Sequence, residues 1–118
     1  MTTQYIHKLV IEESQEFLLT EPVYSIGRGE NDIGLYSRYA SRYTATLIRQ
    51  VREDGSYFYQ IVDGDGEDNL SSMGLFINGQ RCQSHYLQNE DEIMFNTKIR
   101  GTYHTTDTRP TVPAKQAE

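Results

Sequence analysis

Apolar and polar residues alternate along this chain in short runs that turn residues interrupt. Tyr5–Ile11 (YIHKLVI) alternates, EFLLT from Glu16 follows a polar break, and VYSIG from Val23 ends at Gly27 and Gly29. Thr44–Val51 (TATLIRQV) is rich in β-branched residues, and the turn EDGS leads into Tyr57–Asp63 (YFYQIVD). An Asp-Gly turn between two β-rich runs is the best hairpin in the sequence. After the loop GDGEDNLSS come GLFIN, QRCQ, HYL, DEIMF and IRGTYH, each only a few residues long. No segment keeps a 3.6-residue apolar period over the length a helix needs. About ten or eleven short strands at this spacing predict an all-β, mostly antiparallel sandwich. The expected domain covers residues 1–104. From Thr105 onward, TTDTRPTVPAKQAE has two prolines and no large aromatic residue, and predicts a flexible Thr/Pro-containing tail over 105–118.

Composition narrows the function classes. At 118 residues the chain fits one domain with its own core. Nine tyrosines and no tryptophan suit pleated, half-buried positions. No run of about 18 apolar residues is present, and the first residues, MTTQYIHKLVIEESQEF, contain no apolar core of a secretory signal. Without an apolar run no membrane partner is expected, and a single cysteine, Cys82, cannot form an internal disulfide, which fits a reducing, cytoplasmic setting. The net charge of −6 argues against nucleic acid as a partner, because backbone affinity comes from neutralising phosphates. One segment departs from that balance: Ile33 to Arg52 holds four arginines and no Asp or Glu. Charges farther off than roughly 8–10 Å are screened at physiological salt, so this segment can serve a short-range anion pocket in an acidic protein.

Several chemistries fail on spacing. DGDGEDN, from Asp63, puts Asp68 where a calcium loop requires Gly, and Gly74 where it requires the closing Glu. GRGENDIG begins like a nucleotide loop but lacks the Lys-Ser/Thr pair, and Asp32 replaces a third glycine. His7, His85 and His104 are dispersed without ligand spacing, so neither a metal nor another cofactor is expected. No nucleophile elbow or Cys-His signature is present, and the acidic DGDGED loop with the three histidines is the only motive for an enzyme reading.

Three blocks remain, in order: Gly27-Arg28 followed by Asn31-Asp32-Ile33; Ser41-Arg42 with Ala45 and Leu47; and SSMGLFINGQR (Ser71 to Arg81) followed by LQNEDEIMF. Together, over about Tyr24 to Phe95, they resemble the forkhead-associated (FHA) domain family, whose pattern runs Gly-Arg, Ser-Arg-x-His, Ser-Thr-Asn-Gly-x-x-x-Asn-Gly and Leu-x-x-Gly-Asp-x-Ile. The resemblance implies an FHA-like (SMAD/FHA-type) sandwich of about eleven strands whose loops at one end bind phosphothreonine in a peptide. The residue types suit that task independently. A guanidinium matches phosphate oxygens with a planar fork and stays charged. Hydroxyls add hydrogen bonds, and glycines let loop backbone come close.

By resemblance, Arg28 is the principal loop arginine, Ser41 bonds the phosphate and Arg42 is its basic neighbour. Ser72 borders the phosphothreonine, while Gly74 and Asn78-Gly79 shape the loops. Three positions depart from the family pattern. Thr44 replaces a histidine that braces the loops. Met73 replaces an asparagine that grips the peptide backbone, and a thioether cannot donate a hydrogen bond. Glu90 replaces the Gly of Gly-Asp. The leading expectation is a non-enzymatic adaptor for a Thr-phosphorylated protein or peptide, binding through Arg28, Ser41, Arg42, Ser72 and Met73. The alternative, motivated by Thr44 and Met73, is a degenerate FHA scaffold that binds partners without phosphate. Thr105, Thr106, Thr108 and Thr111 in the expected tail are candidates, if phosphorylated, to occupy the pocket of the same or a neighbouring molecule.

Overall fold

The structure is a computed structural model that describes residues 5–38, 40–72, 74–96 and 98–107. Among these, eleven strands and no helix occur. They are β1 (Tyr5–Ile11), β2 (Gln15–Leu18), β3 (Val23–Arg28), β4 (Ile33–Leu35), β5 (Ala45–Val51), β6 (Tyr57–Asp63), β7 (Leu75–Ile77), β8 (Gln80–Cys82), β9 (Ser84–Tyr86), β10 (Glu92–Met94) and β11 (Arg100–Asp107). A six-stranded sheet, β2-β1-β11-β10-β7-β8, packs on a five-stranded sheet, β4-β3-β5-β6-β9. The pairings are antiparallel except β3 with β4. No helix among the described residues is long and apolar enough to cross a membrane.

The period-2 pattern drives this arrangement, because alternate side chains of a strand face opposite sides of its sheet. Leu9 and Ile11 from β1, Leu47 from β5, Tyr59 and Ile61 from β6, Leu75 from β7, Ile93 from β10 and Tyr103 from β11 are buried between the sheets. Each such side chain contributes about 1.5–3 kcal/mol relative to an exposed position. Buried tyrosine needs a partner for its hydroxyl. Tyr59 donates to the Glu21 carbonyl at 2.8 Å, and Tyr103 Oη lies 2.6 Å from His7 Nδ1.

Strand order sets the ends of the molecule. The β3–β4, β4–β5 and β6–β7 loops leave one end. Tyr5, Thr105, the β5–β6 turn and Leu87–Asn89 surround a hollow of about 520 Å³ at the other. β11 runs on to Asp107, opposite Tyr5, three residues past the boundary expected at 104. Thr105 and Thr106 therefore pair with His7 and Ile6 within the sheet. Thr108, Thr111 and the rest of the expected tail lie outside the described residues.

Candidate functional site

β3 delivers Arg28 at its last position. Arg28 N–H donates to the Ser41 carbonyl at 3.0 Å, and Thr44 N–H donates to the Ile26 carbonyl at 3.0 Å, so the end of the β4–β5 loop lies along the end of β3. The approach is possible because residue 27 is glycine: a Cβ there would overlap the Arg42 carbonyl oxygen. Asn31 Nδ2 fastens the two segments, donating to the carbonyls of Arg28 at 3.1 Å and Arg42 at 3.3 Å. The Asp32 carboxylate accepts from Ser25 N–H at 2.9 Å, and Asp32 N–H donates to Ser25 Oγ at 3.0 Å. These bonds fold the β3–β4 loop back on itself, which is how two strands so close in sequence run parallel.

Ser41 and Ser72 meet across two loops. Their hydroxyls are 2.7 Å apart, and Ser41 Oγ also accepts the Ser72 N–H at 2.8 Å. The Arg28 side chain reaches the β4–β5 loop, donating from Nη1 to the Arg38 carbonyl at 3.3 Å. Arg28 and Arg42 line one cavity of about 490 Å³, with Gly29, Glu30, Asn31 and Tyr43. Arg28, Ser41, Arg42 and Ser72 are thus gathered at one end of the sandwich, the arginines exposed and the serines hydrogen-bonded to each other. Met73 lies outside the described residues.

Thr44, at the position where the FHA pattern has histidine, is 1% exposed. Its Oγ1 donates to the Ser41 carbonyl at 2.8 Å, and its own carbonyl accepts Gly64 N–H at 3.1 Å. It therefore braces the β4–β5 loop and the start of the β6–β7 loop together. The latter is held from within. Asp63 Oδ1 accepts Ser71 N–H at 3.1 Å, and Ser71 Oγ accepts Gly74 N–H at 3.0 Å. In the acidic stretch, Asp65 accepts from the Asn69 side chain at 2.7 Å, and this bond, with others from Glu67 and Asn69 backbone, holds its carboxyl below the usual carboxylate range. Sequence reasoning missed Arg81. It is exposed on β8, and a Cβ on Gly74 would lie 2.7 Å from its Nε, so this guanidinium borders the loop that carries Ser72. No local signal marks it, because its proximity depends on the β7–β8 pairing.

The histidines are spread through the fold with structural partners. His7 Nδ1 lies against Tyr103 Oη at 2.6 Å, His85 Nε2 against Asp91 at 2.9 Å and His104 Nδ1 against Glu90 at 3.0 Å. Burial, then the Asp63 carboxylate, pushes the Cys82 thiol up, away from the thiolate form. Among the described residues, no group of three or more His, Cys, Asp or Glu side chains is placed to hold a metal.

Comparison with known proteins agrees with this arrangement. An uncharacterized Synechocystis sp. (strain ATCC 27184 / PCC 6803 / Kazusa) protein, sll1895, is 30% identical over 109 residues, which is 89% of this chain and 16% of that protein. The chain thus spans about a sixth of that relative's length. The crystal structure of Slr1951 from Synechocystis sp. superposes with a TM-score of 0.74 at 36% identity, over 85% of this chain and 96% of that one. The yeast Dun1 FHA domain, bound to a doubly phosphorylated (pT) peptide derived from Rad53, superposes with a TM-score of 0.71 over 98% of this chain and 84% of its own; at 21% identity it speaks to the fold. The FHA domain family model matches residues 24–96, which contain all the blocks gathered around Arg28 and Ser41, and the chain belongs to the FHA domain family.

Proposed function

We propose that this chain is a phosphothreonine-peptide-binding module that acts as a signalling adaptor, with Arg28, Ser41, Arg42, Ser72 and Met73 at its binding surface. The observation that carries the reading is the convergence of three loops. The Ser41 and Ser72 hydroxyls touch at 2.7 Å, beside a strand end that presents Arg28 and a loop that presents Arg42. A phosphoryl group brings about −1.5 to −2 charge and three acceptor oxygens, so several donors can share it. The Ser41–Ser72 contact gives way to bonds from both hydroxyls to the phosphate, and the guanidiniums supply the charge. FHA-family relatives seen with phosphopeptides, Dun1 among them, support an interaction module rather than an enzyme. Thr44 supports phosphate dependence, since it keeps Ser41 braced where the family histidine is absent.

Magnitudes are consistent. Hydrogen bonds to charged groups contribute roughly 1.5–3 kcal/mol each. Two or three of them supply much of the ~8.2 kcal/mol of a micromolar complex. The test is fluorescence anisotropy with a phosphothreonine peptide library and its unphosphorylated counterparts. The expected result is binding that needs the phosphate. Equal affinity for both forms would instead favour the phosphate-independent scaffold.

A further inference from the structure

Another guanidinium stands beside the recognition loops, and it comes from the other sheet. Arg28 and Arg42 belong to β3 and the β4–β5 loop, on the five-stranded sheet, whereas Arg81 belongs to β8, at the edge of the six-stranded sheet. Cross-strand pairing sets Arg81 opposite Phe76. Its side chain reaches further, back along the chain towards Ser72. Nε, Cζ and Nη2 lie 2.7, 3.1 and 3.1 Å from the point where a Cβ on Gly74 would sit. Gly74 has φ +86° and no side chain to push the guanidinium away. It is buried while Arg81 is exposed, so the guanidinium forms the outer surface there. Among the described residues, ion pairs involve Lys8, Arg100, His85 and His104, and none involves Arg81. An exposed guanidinium laid against backbone, with no carboxylate already on its fork, is a ready partner for one.

We propose that Arg81 is a specificity-determining residue of the same site, taking an acidic side chain of the bound peptide. The partner is then a protein whose phosphothreonine has an aspartate or glutamate two or three residues away. This rests on the phosphothreonine reading of the site. The spacing follows from reach. Ser72 and Gly74 are two residues apart, and an extended peptide advances about 3.3 Å per residue. A phosphothreonine held at the Ser41–Ser72 contact therefore brings its second or third neighbour level with the Arg81 guanidinium.

The loop that carries Ser72 is polarised. At its β6 end it is acidic: Asp65 N–H donates to the Asn69 carbonyl at 2.9 Å, and its carboxylate accepts the Asn69 side chain at 2.7 Å. That closed turn presents Glu67 and Asp68 to solvent, with Gly66 against Val62. Arg81 stands at the β7 end. A peptide lying along this loop meets opposite charges on the two sides of its phosphothreonine, so acid is favoured on one flank alone. The net charge of −6 sharpens the expectation, because the chain as a whole disfavours an acidic peptide. A preference for one needs a nearby cation, at salt where charges beyond roughly 8–10 Å are screened.

Isothermal titration of the full chain at about 0.15 M salt tests this, with synthetic peptides that carry one phosphothreonine among alanines. A single aspartate, alanine or lysine is placed two or three residues before or after the phosphothreonine. Aspartate on one flank should bind about three- to fivefold tighter than alanine, the upper range for an exposed ion pair, and lysine there should bind more weakly. Arg81→Gln should bring the aspartate-to-alanine ratio close to one, and Arg81→Glu should turn the preference towards lysine. A chain with no preference for aspartate at any of these positions overturns the proposal and leaves the phosphothreonine reading standing. A preference that survives in both Arg81 variants does the same, by assigning it to another cation. Peptides that bind equally well without the phosphate, or not at all, remove the phosphothreonine reading and the proposal with it.

Discussion

The carbonyl of Ser41 accepts two hydrogen bonds, from Arg28 N–H and from the Thr44 hydroxyl. Thr44→Val keeps the volume and removes the second donor. Unfolding in urea should show a loss of about 1 kcal/mol, the usual net worth of one such bond. Phosphopeptide affinity should fall a few-fold with it, because Ser41 is held less firmly. A variant with unchanged stability would mean that Oγ1 braces nothing. Arg28 is different, since it is exposed and sits on an already paired strand. Arg28→Ala should leave the melting temperature nearly constant and cost at least about tenfold in phosphopeptide affinity, roughly 1.4 kcal/mol. Arg28→Lys should recover only part of this, because an ammonium lacks the planar fork. Isothermal titration of the three proteins separates charge from geometry, and full recovery by lysine would argue that Arg28 acts as a point charge alone.

At the level of elements, what was legible follows from how local each signal is. Asn78-Gly79 predicts its own turn, and the structure gives both residues positive φ, 51° and 86°, in the two-residue link between Ile77 and Gln80. The β5–β6 hairpin was equally plain, because alternation, β-branching and Asp54-Gly55 agree. β4 left no mark: three residues, Ile33–Leu35, are too few to show a period, and their parallel pairing rests on the Ser25–Asp32 bonds. The meeting of Ser41 with Ser72, thirty-one residues apart, was legible through the family pattern alone, and the position of Arg81 not at all. Glu90 is where local chemistry and fold disagree. It stands in the family's glycine position with φ +73°, in the left-handed region. That conformation costs a non-glycine residue about 1–2 kcal/mol. Glu90→Gly relieves this cost, regains about 0.5–1 kcal/mol of unfolded-chain freedom as a penalty, and forfeits an exposed contact with His104. The net expectation is a gain of about 0.5 kcal/mol and a melting temperature about 2–4 °C higher. A lower melting temperature would show that the glycine's unfolded-chain freedom and the lost His104 contact together outweigh the backbone strain.

The whole molecule closes around His7, and its protonation reaches the stability of the entire sandwich. The imidazole is 3% exposed, stacks on Tyr57 with ring centroids 4.5 Å apart, and is also surrounded by Tyr5, Tyr59 and Tyr103. Burial first, and the nearby Arg52 guanidinium second, lower its pKa from 6.5. The folded protein therefore holds His7 neutral at pH values where the unfolded chain has begun to bind a proton. Stability rises with pH wherever the unfolded state carries more protons, so this group has no effect above about pH 6.5 and destabilises progressively as pH falls below it. Asp91 acts later in an acid titration. Burial alone would raise its carboxyl, but hydrogen bonds from Gln88, Asn78 and His85 together hold it below 3.8, so its contribution is lost only in stronger acid. Urea midpoints should thus be flat from pH 8 to about pH 6.5 and fall by pH 5. His7→Phe should be less stable at pH 7.5, because the buried Tyr103 hydroxyl loses its partner, yet should show a shallower decline on acidification. A His7 ring resonance that titrates at or above pH 6.5 in the folded protein would refute this, since the proton would then enter without opening the junction between the sheets.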